Sequence, residues 1–166
     1  MTTANSTTTK HRTTFTTPSD VEIVATRVFD APRRLVWEAH TKPEHVTQWL
    51  LGPEGWTMPI CEMDVRPGGK WRWGWQKGDG GETMEMTGEF REVVPPERLV
   101  NTEAWGGPYP ETLNTTVFTE ENGRTTLTCT VLYPSKEARD AALKTGMEEG
   151  WGYSYTRLDA YLPKIG

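Results

Sequence analysis

Between residues 58 and 133 the chain is a succession of alternating apolar and polar segments, each closed by a turn signal. The segments are 58–65, 70–76, 82–94, 99–105, 112–120 and 125–133, and each reads as a strand. The breaks are Arg66-Pro67-Gly68-Gly69, Lys77-Gly78-Asp79-Gly80-Gly81, Pro95-Pro96 and Glu121-Asn122-Gly123. Connections this short join antiparallel neighbours, because parallel strands need a long crossover. A further strand precedes them over 21–29, with Val21, Ile23 and Ala25 alternating against Glu22, Val24 and Thr26. Asp30-Ala31-Pro32 then starts a short helix carrying Leu35, Val36 and Ala39 on its apolar face. Pro43, in the first turn after Thr41 or Lys42, starts another with Val46, Trp49 and Leu50. The chain closes with a long helix over 136–162, with Ser135 as N-cap and Pro163 as stop. Its apolar stripe is Leu143, Met147, Trp151, Tyr155, Leu158 and Leu162. Gly146, Gly150 and Gly152 interrupt it, at about 1 kcal/mol each relative to Ala. Close approach to the sheet, a kink or room for a ligand must offset that cost. The fold class is α+β: a curved antiparallel sheet of about six to seven strands wrapped around a long C-terminal helix, with two short helices after the first strand.

A chain of 166 residues is one domain's worth and can bury a core without staples. Residues 20–163 form that domain. Residues 1–19 are Thr/Ser-rich, lack the apolar stretch of a signal peptide and read as a disordered tail whose deletion leaves the melting temperature nearly unchanged. A net charge of −5 argues against nucleic acid. No apolar run reaches the length of a membrane span. Cys61 and Cys129 read as free buried thiols of a cytoplasmic protein, and the sequons at Asn5 and Asn114 carry no meaning without a secretory route. His11, His40 and His45 form no metal pattern, and no phosphate loop, dinucleotide fingerprint or nucleophile elbow is present, so neither metal nor cofactor is expected.

Eight Trp residues are too many to hide easily in one small core. Strand alternation puts Trp71, Trp73 and Trp75 on one face, as it does Met84, Met86, Gly88 and Phe90. Leu99, Asn101, Glu103 and Trp105 share another. With Met147, Trp151 and Tyr155 of the helix, these side chains can line an apolar pocket between helix and sheet. Asn101 and Glu103 are polar on an inward face. A carboxyl in such a place has a raised pKa and can serve as general acid or base. The alternatives are a solvated Glu103 at the rim or one paired with Arg72 or Arg98. His40, ending the first short helix, is either a second catalytic group at the mouth of the pocket or a satisfied surface histidine. Asp64 and Arg66 brace a turn.

Three stretches together point to a family: Val28-Phe29-Asp30-Ala31-Pro32 with Val36-Trp37 and Trp49; Met63-Asp64-Val65-Arg66-Pro67-Gly68-Gly69-Lys70-Trp71-Arg72-Trp73; and Gly146-Met147-Glu148-Glu149-Gly150-Trp151 with Leu158 and Tyr161-Leu162. With Gly88 and the run from Val93 to Leu99, the chain resembles the SRPBCC (START/Bet v-like) superfamily, in the branch named for the C-terminal domain of the activator of the heat-shock-protein-90 ATPase. The resemblance implies a helix-grip fold with a deep cavity for hydrophobic or aromatic small molecules. It does not fix one activity. Three functions follow as expectations: binding of a small hydrophobic or aromatic ligand; acid–base catalysis of cyclase or hydrolase type by Glu103 or His40; and interaction with a chaperone. Monomer and homodimer are both open.

Overall fold

A computed structural model describes residues 11–166. The elements are β1 (Thr14–Thr16), β2 (Glu22–Phe29), α1 (Arg33–Thr41), α2 (Pro43–Trp49), β3 (Trp56–Met63) and β4 (Lys70–Lys77), then β5 (Thr83–Val94), β6 (Arg98–Glu103), β7 (Thr112–Glu121), β8 (Arg124–Leu132), α3 (Lys136–Leu143) and α4 (Met147–Ile165). The strands form one eight-stranded sheet in the order β1-β2-β8-β7-β6-β5-β4-β3. Every neighbouring pair is antiparallel. The one long connection carries α1 and α2 from β2 to the far edge strand β3. The meander then returns strand by strand until β8 pairs with β2. This is the expected α+β helix-grip architecture.

Period-two alternation sets which face is buried. In β2, Ile23, Ala25, Arg27 and Phe29 are buried, and in β8 so are Thr125, Leu127, Cys129 and Val131. Tyr155, Leu158 and Leu162 of α4 pack with Phe29, Val36, Trp49, Phe118 and Leu127 in one core. Arg27 is the charged exception on that inward face, only 4% exposed. Its Nη2 donates to Asp159 Oδ2 at 3.0 Å, its Nη1 donates to Thr13 Oγ1 at 3.3 Å, and the guanidinium lies 5.5 Å from the Phe29 ring. A buried cation needs such partners, and these tie β2 to α4. The brace between Arg66 and Asp64 is present, at 2.8 Å.

Three expectations are corrected. Part of the supposed tail is a strand: Thr14, Phe15 and Thr16 pair with Thr26, Ala25 and Val24, and the Phe15 ring meets Trp151 edge-on at 5.6 Å. This adds the strand that the alternation missed. Residues 1–10, with Asn5, lie outside the described residues. The C-terminal helix is two helices. Gly146 has φ 82°, a left-handed conformation that glycine adopts freely, and it separates α3 from α4. Pro163 lies inside α4 rather than after it, forgoing one hydrogen bond in the last turns. Ser135 caps α3 as expected, its Oγ accepting from the Ala138 N–H at 3.1 Å. Close approach to the sheet does not explain the other helix glycines. A Cβ on Gly150 would meet only Pro53, and one on Gly152 would meet nothing.

Candidate functional site

The inner face of β4 and β5 is built from opposed pairs: Trp71 with Gly88, Trp73 with Met86 and Trp75 with Met84. Glycine at 88 has a steric cause. A Cβ there would sit 2.5 Å from the Trp71 ring, which packs over Gly88 of the neighbouring strand. The tryptophans run as a ladder. Ring centres of Trp71 and Trp73 are 4.3 Å apart, those of Trp73 and Trp75 6.1 Å, and Trp75 stacks on Trp105 at 6.1 Å with 17° between planes. The ladder rises from buried Trp71, 3% exposed, to Trp105, 41% exposed.

The indole N–H groups divide the ladder. Trp75 donates to the Leu50 carbonyl at 2.8 Å, and Trp105 donates to Glu103 Oε2 at 2.8 Å. The N–H groups of Trp71 and Trp73 are buried and have no acceptor among the described residues. An orphaned buried donor costs about 1–3 kcal/mol, so this pair is an expensive feature of an otherwise apolar interior. The residues on either side of Leu50 are held by α4. Ser154 Oγ accepts from the Gly52 N–H at 2.8 Å, while Arg157 donates to the carbonyls of Trp49 at 3.2 Å and Gly52 at 3.1 Å. The connection from α2 to β3 is therefore clamped onto α4.

Glu103 is half-buried and is not paired with Arg72 or Arg98. Arg72 bonds Glu85 at 3.0 Å and Arg98 meets Glu92 at 3.3 Å, both away from it. Instead Asn114 Nδ2 donates to Glu103 Oε1 at 2.6 Å and Trp105 Nε1 holds Oε2. Burial pushes the Glu103 carboxyl above the ordinary range, and the two neutral donors only partly oppose it. Glu103 helps raise the Tyr133 hydroxyl and the Cys129 thiol, the latter pushed up to about 12 chiefly by burial. Asn114 was legible only as a sequon. Its true signal was its place between Thr112 and Thr116 on the inward face of β7, with Thr112 Oγ1 donating to Asn114 Oδ1 at 2.9 Å. Asn101, opposite Asn114 in the register, turns its amide to the Thr102 carbonyl at 3.0 Å.

His40 is not part of this group. It packs against Trp49 and Phe118, at ring separations of 4.8 and 5.3 Å. Its Nδ1 lies 2.8 Å from the Val36 carbonyl, which can only accept, so Nδ1 carries the hydrogen. Nε2 is left as a buried lone pair without a partner among the described residues. Burial holds the imidazole neutral, lowering its pKa from 6.5 to about 4. His40 touches Phe118, whereas Glu103 faces Thr112 at the other end of β7. The two do not form an acid–base pair. Tyr155 is buried against Phe29 at 5.6 Å, Trp151 lies between Phe15 and Tyr155, and Met147 Sδ accepts from the Tyr133 hydroxyl at 3.7 Å. Inward side chains expected to line a gap thus largely form packed core. A cavity of about 540 Å³ opens instead over the outward side chains Lys70, Arg72, Thr87, Glu89 and Arg91, and it reaches Gly88 and Trp71 at the buried end of the ladder. Among the described residues no cluster of His, Cys, Asp and Glu could hold a metal ion, and no helix is long and apolar enough to cross a membrane.

The family model of the Activator of Hsp90 ATPase homolog 1-like proteins matches residues 30–163. No curated protein matches the chain. Among solved structures, a crystal structure of a protein from Rhodobacter sphaeroides is 30% identical with a TM-score of 0.85, covering 93% of this chain and 99% of that one. One from Nitrosomonas europaea is 25% identical with a TM-score of 0.78, covering 90% and 98%. A solution structure of an AHSA1-like protein from Aeromonas hydrophila, at 20% identity, covers 84% of this chain and 92% of that one with a TM-score of 0.71, a likeness of fold. With its helix-grip sheet, clamped α2–β3 connection and inward tryptophan ladder, the chain belongs to the Activator of Hsp90 ATPase homolog 1-like family within the SRPBCC superfamily.

Proposed function

We propose that this domain binds a small hydrophobic or aromatic molecule on the inner face of its sheet, along the ladder from Trp71 to Trp105. The observation that carries this reading is the adjacent pair of buried indole N–H groups on Trp71 and Trp73, which no group of the described residues accepts. A ligand with an apolar body and an acceptor oxygen offsets their cost and stacks on the rings beside them. Entry requires Trp73 and Trp75, both only partly buried, to give way while the Leu50 carbonyl keeps its place. The free thiols of Cys61 and Cys129 support a cytoplasmic location. The test is tryptophan fluorescence against a panel of aromatic ketones, phenols and alcohols. Saturable quenching by acceptor-bearing aromatics is expected, with Trp71→Phe and Trp73→Phe each weakening binding by about 3–10-fold, the worth of one neutral hydrogen bond. Quenching by no member of the panel contradicts the reading.

A second reading, acid–base catalysis, has one observation in its favour: Glu103 is a half-buried carboxyl with a raised pKa, held in place by Asn114 and Trp105. It acts without His40. Under this reading Glu103→Gln abolishes turnover of a bound compound while saturable quenching persists. Turnover that survives the change removes Glu103 from the mechanism.

A further inference from the structure

We infer that the outer end of the ladder is a recognition site for an organic cation, with Glu103 as counter-ion and Trp105 and Trp75 as its aromatic wall. This rests on the binding reading above and adds the charge of the ligand to it. Both Glu103 oxygens accept from neutral N–H groups, those of Asn114 and Trp105. Among the described residues Glu103 makes no ion pair. Its carboxylate is thus oriented at two atoms and compensated at neither.

The groups that face it bring no positive charge to it. From β8 and the residue after it come Cys129 and Tyr133, both held protonated at neutral pH. From β7 come Thr112 and Asn114, which carry no charge. Arg139 of α3 acts on Tyr133 but is engaged elsewhere, with Asp140 at 2.9 Å and the Ser19 carbonyl at 2.8 Å. A half-buried carboxylate in that setting gains most from a cation and repels an anion.

The aromatic part fits the same chemistry. Trp105 and Trp75 present nearly parallel faces, and a π face attracts ammonium groups, most strongly for tryptophan. The Trp105 N–H is spent on the carboxylate, so charge and ring are held together as one unit. The site is open to arriving ligand. Trp105 is 41% and Tyr109 46% exposed, on a loop where Gly106 and Gly107 both take positive φ. A ligand of this class has a flat apolar body that lies against the inner tryptophans and a protonated amine that stops at Glu103.

The test compares two probes of nearly one shape, 1-naphthylmethylamine, a cation at pH 7.5, and 1-naphthylmethanol, which is neutral. Affinities come from calorimetry on the full chain, and the site from the ¹⁵N indole resonances. The amine is expected to bind at least about tenfold more tightly than the alcohol, in the range of a partly exposed cation–π contact joined to a charge-assisted hydrogen bond. It is also expected to shift the Trp105 indole N–H, which the alcohol leaves in place. In Glu103→Gln the amine-to-alcohol ratio falls to near one, with the indole spectrum reporting that the variant is folded. Equal affinities in the unmodified protein, or an unmoved Trp105 resonance, overturn the cation site while the ladder reading stands. A ratio that persists in Glu103→Gln overturns the role of Glu103. Binding of neither probe overturns this inference together with the reading beneath it.

Discussion

Phe15 offers a sharp energetic test, because by composition it belongs to a tail and by structure it belongs to the core. It is the inward residue of β1, opposite Ala25 in the register and packed on the cluster of Ile23, Cys129, Val131 and Tyr133. Truncating a fully buried Phe to Ala costs about 3–5 kcal/mol. Phe15 is only partly buried, so about half of that, roughly 2 kcal/mol, is expected for Phe15→Ala. Of this, about 0.5–1.5 kcal/mol is the edge-on contact with Trp151 at 5.6 Å. In a domain of this size 1 kcal/mol moves the melting temperature by roughly 2–4 °C, so a drop of about 4–8 °C follows. Calorimetry measures it. A double-mutant cycle with Trp151→Ala isolates the ring contact, whose coupling should fall in the range just given. Deleting residues 2–18 removes the pairing of β1 as well and must cost more than Phe15→Ala alone. A shift below about 1 °C for Phe15→Ala, or zero coupling to Trp151, refutes the packing of this strand.

Two further outcomes concern packing and pH. Gly88→Ala drives a Cβ into the Trp71 ring and the Thr102 carbonyl, and should destabilise by about 1–3 kcal/mol in urea titration; unchanged stability would mean that Trp71 does not pack over Gly88. His40 has its folded pKa lowered from 6.5 to about 4, so on acidification the unfolded chain takes up a proton that the folded chain refuses. Stability should therefore decline by up to about 3 kcal/mol as pH falls from 6.5 to 4, and His40→Gln should remove that slope. Glu103, raised above 4.5, acts in the opposite sense, its contribution declining as pH rises above that value. Urea titrations of the protein and the His40 variant across that pH range decide the matter, and equal slopes would place His40 in water.

The strands of the meander were legible because their alternation is regular and their turns carry Gly, Pro and Asn-Gly. β1 was not. Three residues with one apolar side chain give no period, and only the tertiary contact with Trp151 makes Phe15 a core residue. The break between α3 and α4 was hidden because the apolar stripe runs through it from Leu143 to Met147, while Gly146 reverses the backbone in between. Arg27 escaped notice because a charge at an inward position becomes intelligible only once Asp159 arrives from the far end of the chain. Of the site, the shared face of the tryptophans and the inward Glu103 could be read from alternation. The partner of Glu103 could not, since Asn114 reaches it only through the pairing of β6 with β7. The packing of the inward Trp, Met and Tyr side chains into core is likewise a result of three-dimensional fit that no spacing records.

The central claim is that ligand meets the inner tryptophan ladder rather than the cavity of about 540 Å³ over Lys70, Arg72 and Arg91. Intermolecular nuclear Overhauser contacts between bound 1-naphthylmethanol and the protein test it directly. Contacts to the Trp73 and Trp75 indoles, which do not line that cavity, with the Trp71 and Trp73 N–H resonances moved downfield by a new acceptor, are the predicted result. Contacts confined to Lys70, Arg72 and Arg91, with both indole resonances unmoved, would contradict it.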